Sequence, residues 1–381
     1  MTKLKLNNIM YKFKEYNLDK NFAKSDILAV TSLIHEVNSL QIVGIANSGI
    51  SIFIKYLTSL PLGKFIYVDS YALALVIERD FWALVLTEFG GDVTAEDTID
   101  IILEKIREQL VTFADKNERI IIVFNRFDQL SKLFSAEFFN RLRAIQRVLA
   151  EQLVMVYAVC KPVHLYNANA LEGANLGFFS NIFYLHPYAT KDIYYLYEVF
   201  GPAVSDERII DKAIALSGGH YQLFQFLLKS DRIATPLDDQ FVKLAVQDIY
   251  NRFTTSQQKE LEKIVQGKSI GSVDDYLLQV GFIKQTEVGF EIFSPVVRDY
   301  ILRKSSKLPK KEARLFALLK KYRGSVVSKD MIMKAVWRDE VDEMSDWALN
   351  SLVYRLKNNP AFLQTGYSIE NYKGVGYLLS K

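Results

Sequence analysis

Gln41-Ile42-Val43-Gly44-Ile45-Ala46-Asn47-Ser48-Gly49-Ile50-Ser51-Ile52-Phe53-Ile54-Lys55-Tyr56-Leu57 decides the fold of this 381-residue chain. Gln41 to Val43 reads as a short buried strand, and Ile52 to Leu57 reads as a helix. Between them, Gly44 and Gly49 bracket four small or polar residues. A glycine loop joining a strand to a helix turns successive backbone N–H groups toward one point and forms a concave seat for an anion. Ile50 follows the second glycine, where a cation would neutralise the outer charges of that anion. Ser51 reads equally well as a polar ligand and as a plain hydroxyl at a helix start.

The surrounding pattern alternates strand and helix. Strands are expected at Gln41–Gly44, Lys64–Asp69, Ile120–Asn125, Leu153–Val159 and Ile182–Leu185. Helices are expected at Lys24–Asn38, Ala95–Asp115 and Gln129–Gln152. The run Ile120-Ile121-Ile122-Val123-Phe124 is apolar at every position, as a strand covered on both faces requires. Repeated strand–helix units predict a three-layer α/β domain around a parallel sheet. Residues 190–232 turn wholly helical, with a break at Gly218-Gly219. Further helices and a hairpin, Gly281–Thr286 and Gly289–Phe293, follow. Arg303–Lys311 (RKSSKLPKK) is polar, basic and interrupted by Pro309, and reads as an interdomain linker.

The glycine loop resembles the phosphate-binding P-loop GxxxxGK[ST], with Ile50 in the place of the lysine. The resemblance implies Gly44, Asn47, Gly49 and Ser51 as nucleotide contacts and keeps ATP or ADP open as ligands. The strand Ile120–Phe124 stands where P-loop proteins carry Walker B, yet it ends in Asn125-Arg126 instead of two acids. Lysine and both acids are thus replaced together. Phosphoryl transfer depends on electrostatic stabilisation, so the chain is expected to be a pseudo-ATPase with no catalytic residues. Asp128 is a substitute Mg²⁺ ligand or, as the preferred reading, the cap of a helix beginning at Gln129.

Three further segments resemble STAND and Orc/Cdc6-like AAA+ ATPases. Asn125-Arg126-Phe127-Asp128-Gln129-Leu130 is similar to their DEFDxL segment. Tyr184-Leu185-His186-Pro187-Tyr188 resembles the entry to their helical lid, which implies that Pro187 lies near an adenine. Leu216-Ser217-Gly218-Gly219-His220-Tyr221-Gln222-Leu223 resembles the lid motif SGGHPxxLQ. The resemblance covers about residues 20–300. It implies a P-loop NTPase-like sheet domain at 1–189, a helical lid at 190–235 and an internal winged helix at 236–303.

Charge is asymmetric along the chain. Residues 303–381 hold 16 Lys and Arg against 8 Asp and Glu, a surplus of eight. With +3 for the whole chain, the remainder carries −5. A basic tail on an acidic body points to nucleic acid at the C-terminal end, or to a solvated face. One cysteine, Cys160, excludes a disulfide framework and fits a reducing cytoplasm. The four histidines show no metal-ligand spacing. No apolar run is long enough for a membrane span, and Met1–Lys5 lacks the apolar core of a signal peptide.

Residues 308–381 resemble the OmpR/PhoB-type winged-helix DNA-binding domain. Leu308–Leu319 is similar to its first helix. Gly324–Asp330 is similar to the following turn, with Ser328 as an N-cap, and Lys334–Trp337 to the end of the second helix, with Trp337 in the core. Tyr372-Lys373-Gly374-Val375-Gly376-Tyr377-Leu378-Leu379 is similar to the closing hairpin. On Ser345–Asn359, Leu349, Leu352, Val353 and Leu356 fall at helical spacing and form one buried stripe. Trp347, Ser351, Tyr354 and Asn358 lie opposite. The resemblance implies double-stranded DNA as partner, with Asn350, Ser351, Tyr354, Arg355 and Lys357 on the recognition helix and Asn371 and Lys373 in the wing. A protein partner or a homo-oligomer is the alternative, with Trp347 as a protein contact in a scaffold subunit of a defence or transposition assembly.

Overall fold

Strands that are apolar at every position must be covered on both faces. β1 (Ser39–Gly44), β3 (Ile120–Asn125) and β4 (Leu153–Val159) are buried along their whole length. The structure is a computed structural model describing residues 18–114, 119–202, 206–268, 272–287, 289–305, 308–337, 345–363 and 365–381. With β2 (Lys64–Asp69) and β5 (Ile182–Leu185), these strands form a five-stranded parallel sheet in the order β2-β3-β4-β1-β5. Register aligns Asp69 with Asn125 and Gly44 with Leu185. The carboxyl ends of four strands therefore converge on the glycine loop, where open α/β sheets place their ligands.

One flank of the sheet is an aromatic core. Phe81, Trp82, Phe124, Phe127, Phe138 and Tyr157 are essentially inaccessible to solvent. Phe127 and Tyr157 lie 4.7 Å apart between ring centroids, and Phe124 stacks on Tyr157 at 5.2 Å. Each such ring, truncated to alanine, would cost about 3–5 kcal/mol.

The strand ranges match the sequence reading closely, and the helices depart from it. The expected helix at Gln129–Gln152 is broken into a 3₁₀ turn, Phe127–Leu133, and a helix, Ala136–Gln146. Ser135 causes the break: its hydroxyl accepts from the N–H of Phe138 at 3.1 Å and starts the helix afresh. The helix expected from Ala95 begins only at Ile99 and is described to Ala114, with Asp115 outside the described residues; Lys24–Asn38 ends at Glu36, and an unforeseen helix spans Glu78–Glu88. The helical segment contains Thr190–Phe200, Glu207–Ser217 and Tyr221–Lys229. Gly219 sits between the last two with φ 87°, and a Cβ there would collide with the carbonyl oxygen of Tyr188. Helices Gln240–Asn251, Thr255–Val265 and Asp275–Gln279 then precede an antiparallel hairpin, β6 (Ile283–Thr286) and β7 (Gly289–Ile292).

Two compact bodies result: residues 1–260 with 268–298, and residues 261–267 with 299–381. Residues 1–17 of the first body, and residues 306 and 307 of the expected linker, lie outside the described set. The second body contains helices Lys310–Lys321, Lys329–Trp337 and Asp346–Lys357, a short helix Pro360–Leu363, and a sheet in the order β8-β10-β9. β8 is Val327–Ser328, β9 is Ser368–Tyr372 and β10 is Gly376–Ser380. Leu315, Leu319, Ile332, Val336, Trp337, Leu349, Leu352, Leu356, Tyr377 and Leu379 belong to its core, which bears out the core placement of Trp337. Three helices closed by a hairpin make a winged helix. Gly374 takes φ 79° at the hairpin tip. Gly376 has an ordinary φ and is small because the Val327 carbonyl presses on it.

Candidate functional site

In the first body the site grows from the glycine loop. Gly44 ends β1, and a Cβ there would lie 3.1 Å from Ile50 Cγ1. Ile50 is 8% exposed, so it plugs the space beside Gly44 and presents no charge outward. Gly49 has φ 115°, and a Cβ on it would meet the Tyr188 ring at 2.5 Å. Only glycine meets both demands.

The loop is held from the carbonyl side. His220 Nε2 is 2.9 Å from the Ala46 oxygen. The N–H groups of Gln222 and Tyr221 donate to the oxygens of Asn47 and Ser48 at 3.4 and 3.3 Å. The Tyr188 hydroxyl donates to the Gly49 oxygen at 3.1 Å. Four consecutive loop carbonyls are thereby satisfied. The same bonds occupy the first donors of the helix Tyr221–Lys229, which would otherwise need caps or a ligand. His220 Nδ1 accepts from Leu223 N–H at 3.3 Å, so the ring must be neutral with its proton on Nε2. Burial agrees, pushing its pKa down to about 4.

On the other side of the loop a polar network closes. Ser51 Oγ donates to Asn125 Oδ1 at 3.1 Å, and Asn125 Nδ2 donates to Asp69 Oδ2 at 3.3 Å. Arg126 Nη1 reaches both oxygens of Asp69, at 3.0 and 3.2 Å, and its guanidinium stacks over Tyr71. Asp69 also accepts from the Tyr67 hydroxyl and the Tyr71 N–H. A carboxylate has about four lone-pair sites, so Asp69 is saturated. Arg126 adopts φ 55°, a left-handed conformation that costs a non-glycine residue about 1 kcal/mol or more. The ion pair and the stacking hold it there.

A cavity of about 290 Å³ opens beside this network, lined by Asn47, Ser51, Asn125, Arg126, Gln225 and Arg252 among others. Asn47 takes φ 62° and donates to Asp248, which also pairs with Arg252 at 3.2 Å. The residues present do not fit a Mg²⁺–triphosphate: Ile50 brings no cation, and Asp69 is spent on Arg126. Among the described residues no cluster of three or more His, Cys, Asp or Glu is placed to hold a metal.

One expectation is corrected here. Asp128 does not cap a helix. It lies inside the 3₁₀ turn whose N-cap position is Arg126, and it faces the Cys160 thiol in an adjoining cavity of about 290 Å³. Burial raises its carboxyl above the usual range. Pro187 is not among the residues lining the loop cavity. Its Cδ would lie 3.3 Å from a Cβ on Gly281, and the next residue, Tyr188, is the one that reaches the loop. The sequence reading missed Asp69, Tyr188 and Arg252. Asp69 carried a signal, an acid ending an apolar strand. Tyr188 stood in the lid-entry motif next to Pro187 without a role of its own, and Arg252 carried no signal, because folding alone brings it to the loop.

In the second body the recognition helix Asp346–Lys357 starts at Ser345, whose hydroxyl accepts from the Ala348 N–H. Leu349, Leu352, Val353 and Leu356 are buried, as their spacing predicts. Asn350, Tyr354, Arg355 and Lys357 are exposed, Ser351 is half-buried, and Asn371 and Lys373 are exposed in the wing. Two of these side chains are already engaged. Arg355 Nε lies 3.5 Å from Glu312 Oε1, and the Glu312 side chain is only 6% exposed. Asn350 Oδ1 accepts from the Tyr377 hydroxyl at 2.5 Å. Trp347 stands 77% exposed.

Residues 303–379 match the family described as transcriptional regulatory protein, C terminal. The C-terminal domain is thus a winged helix of the OmpR/PhoB type, a DNA-binding class. No curated protein matches the chain. Solved structures similar to it include a Walker-type ATPase of Pyrococcus abyssi, at 11% identity and a TM-score of 0.46, covering 74% of this chain and 95% of that one. The Orc1 protein of Aeropyrum pernix in complex with DNA is 12% identical with a TM-score of 0.42, covering 94% and 88%. Cdc6p of Pyrobaculum aerophilum is 12% identical with a TM-score of 0.41, covering 95% and 90%. No described helix is long and apolar enough to cross a membrane.

Proposed function

We propose that the protein is a cytoplasmic DNA-binding regulator whose P-loop-like body serves as scaffold or sensor without turning over ATP. The observation that carries the DNA-binding half is the winged helix matched over residues 303–379, in a tail with eight surplus positive charges. A salt titration of the full chain on duplex DNA tests it. Affinity should fall linearly with salt on a logarithmic scale, because bound phosphates release counterions. No binding at low salt would refute it.

The second half rests on the network at the loop. Ser51, Asn125, Asp69 and Arg126 satisfy one another where an active P-loop enzyme needs free acids and a free cation. Phosphate release from ATP, with and without DNA, should stay at background. A rate above background that disappears in Asp128→Ala would overturn this reading. A second reading, ADP or ATP held without Mg²⁺ and without turnover, is favoured by the cavity beside Arg252. Titration with a fluorescent ADP analogue checks it, and competition by unlabelled ADP would support it.

A further inference from the structure

We propose that the recognition helix reads thymine methyl groups, so that the protein prefers A·T pairs in the major groove over guanines. This rests on the DNA-binding reading above and names the base chemistry of that site.

Guanine is read best by a free guanidinium or ammonium bidentate to O6 and N7. The helix has little of that to offer. Arg355 is tethered through Nε, 3.5 Å from the nearly buried carboxylate of Glu312, and that acid also accepts from Asn359 Nδ2 at 3.1 Å, so the guanidinium is drawn toward Glu312 although its side chain stays 59% exposed. Lys329, at the start of the preceding helix, is bonded to Asp346 at 2.6 Å. Lys357 sits at the far C-terminal end of the recognition helix.

What the outer face does present is aromatic. Trp347 and Tyr354 are 77% and 69% exposed. They are seven residues apart, two helical turns on one face, so they stand roughly 10 Å apart along the axis, about three base-pair steps. Two large rings held in water on one face of a helix gain only when something apolar covers them. In the major groove the apolar group is the thymine methyl. Between the rings lie Ser351 and Asn350. Tyr377 holds the Asn350 oxygen, which leaves the amide donors of this exposed side chain for acceptors such as thymine O4 and adenine N7. Tyr377 is thus a positioning residue. The winged-helix match over residues 303–379, in a tail with eight surplus positive charges, makes DNA the fitting occupant of this face.

The test uses the full chain and four labelled 30-base-pair duplexes: alternating A-T, alternating A-U, alternating G-C, and G-C with every cytosine 5-methylated. Uracil differs from thymine in the groove only by the missing methyl. Binding to A-T should exceed binding to A-U by about fourfold for each methyl buried, and methylation should strengthen binding to G-C. Trp347→Ala should weaken binding to A-T and bring the A-T and A-U affinities together. Equal affinity of the unaltered chain for A-T and A-U, or a preference for unmethylated G-C, overturns the inference and leaves the DNA-binding reading standing. No binding to any duplex at low salt removes both.

Discussion

Replacing His220 with asparagine should erase a specific part of the acid sensitivity of the first body. His220 is fully buried, its Nε2 faces the Ala46 oxygen and its Nδ1 accepts from the Leu223 N–H. A second proton on the ring would sit on Nδ1, facing a donor, in a fully buried site. Burial accordingly lowers the pKa from 6.5 to about 4. The folded value lies below the unfolded one. The unfolded chain therefore takes up the proton first, and the stability due to the neutral ring is fully present above about pH 6.5 and is lost as pH falls toward 4. The whole shift corresponds to roughly 3 kcal/mol, of which about 2 kcal/mol falls between pH 7 and pH 5. Asparagine keeps an acceptor for Leu223 N–H and does not titrate in this range. Urea unfolding can be followed by Trp82, which is buried in the first body, with Trp337 and Trp347 changed to phenylalanine. The stability of the unaltered chain relative to His220→Asn should drop by about 2 kcal/mol from pH 7 to pH 5. Taking the difference cancels the carboxyls of Asp26, Asp128 and Asp192, whose raised pKa values act in the opposite sense. Parallel stability curves for the two proteins would refute the reasoning, and with it the neutral tautomer that fastens the loop.

Glu312→Gln should release the Arg355 guanidinium and strengthen DNA binding, with the salt slope steeper by about 0.9 if the freed group contacts one phosphate. An unchanged slope would show that Arg355 is already on the DNA or never reaches it. The pair Arg355→Ala and Lys373→Ala should flatten the slope by about 0.9, the share of Lys373 alone while Glu312 holds Arg355, read from the same titration. Phe127→Ala, at the centre of the aromatic core, should destabilise the first body by about 3–5 kcal/mol in urea unfolding. A loss under 1 kcal/mol would mean that the neighbouring rings collapse into the space.

The parts of this protein that the sequence determined are those governed by local patterning. Ile120–Asn125 and Leu153–Val159 are continuous apolar runs, and only a strand covered on both faces satisfies such a run. Leu349, Leu352, Val353 and Leu356 repeat at helical spacing, which fixes the buried side of the recognition helix before any fold is known. That an uncharged residue, Ile50, follows the second glycine of the loop was equally plain, because the glycine spacing marks the position. Tertiary structure decided what those residues face. Asp69 lies beside Asn125 only through the parallel register of β2 and β3, and that register turns a strand-ending acid into the partner of Arg126. Glu312 and Arg355 are 43 positions apart in the chain, and no spacing rule pairs them. Asp128 reads locally as a helix cap, yet Ser135 restarts the helix and leaves the carboxylate facing Cys160. Periodicity encodes which side of an element is buried. The identity of the neighbour across the gap depends on the energy of the whole packed arrangement, and a single segment does not contain it.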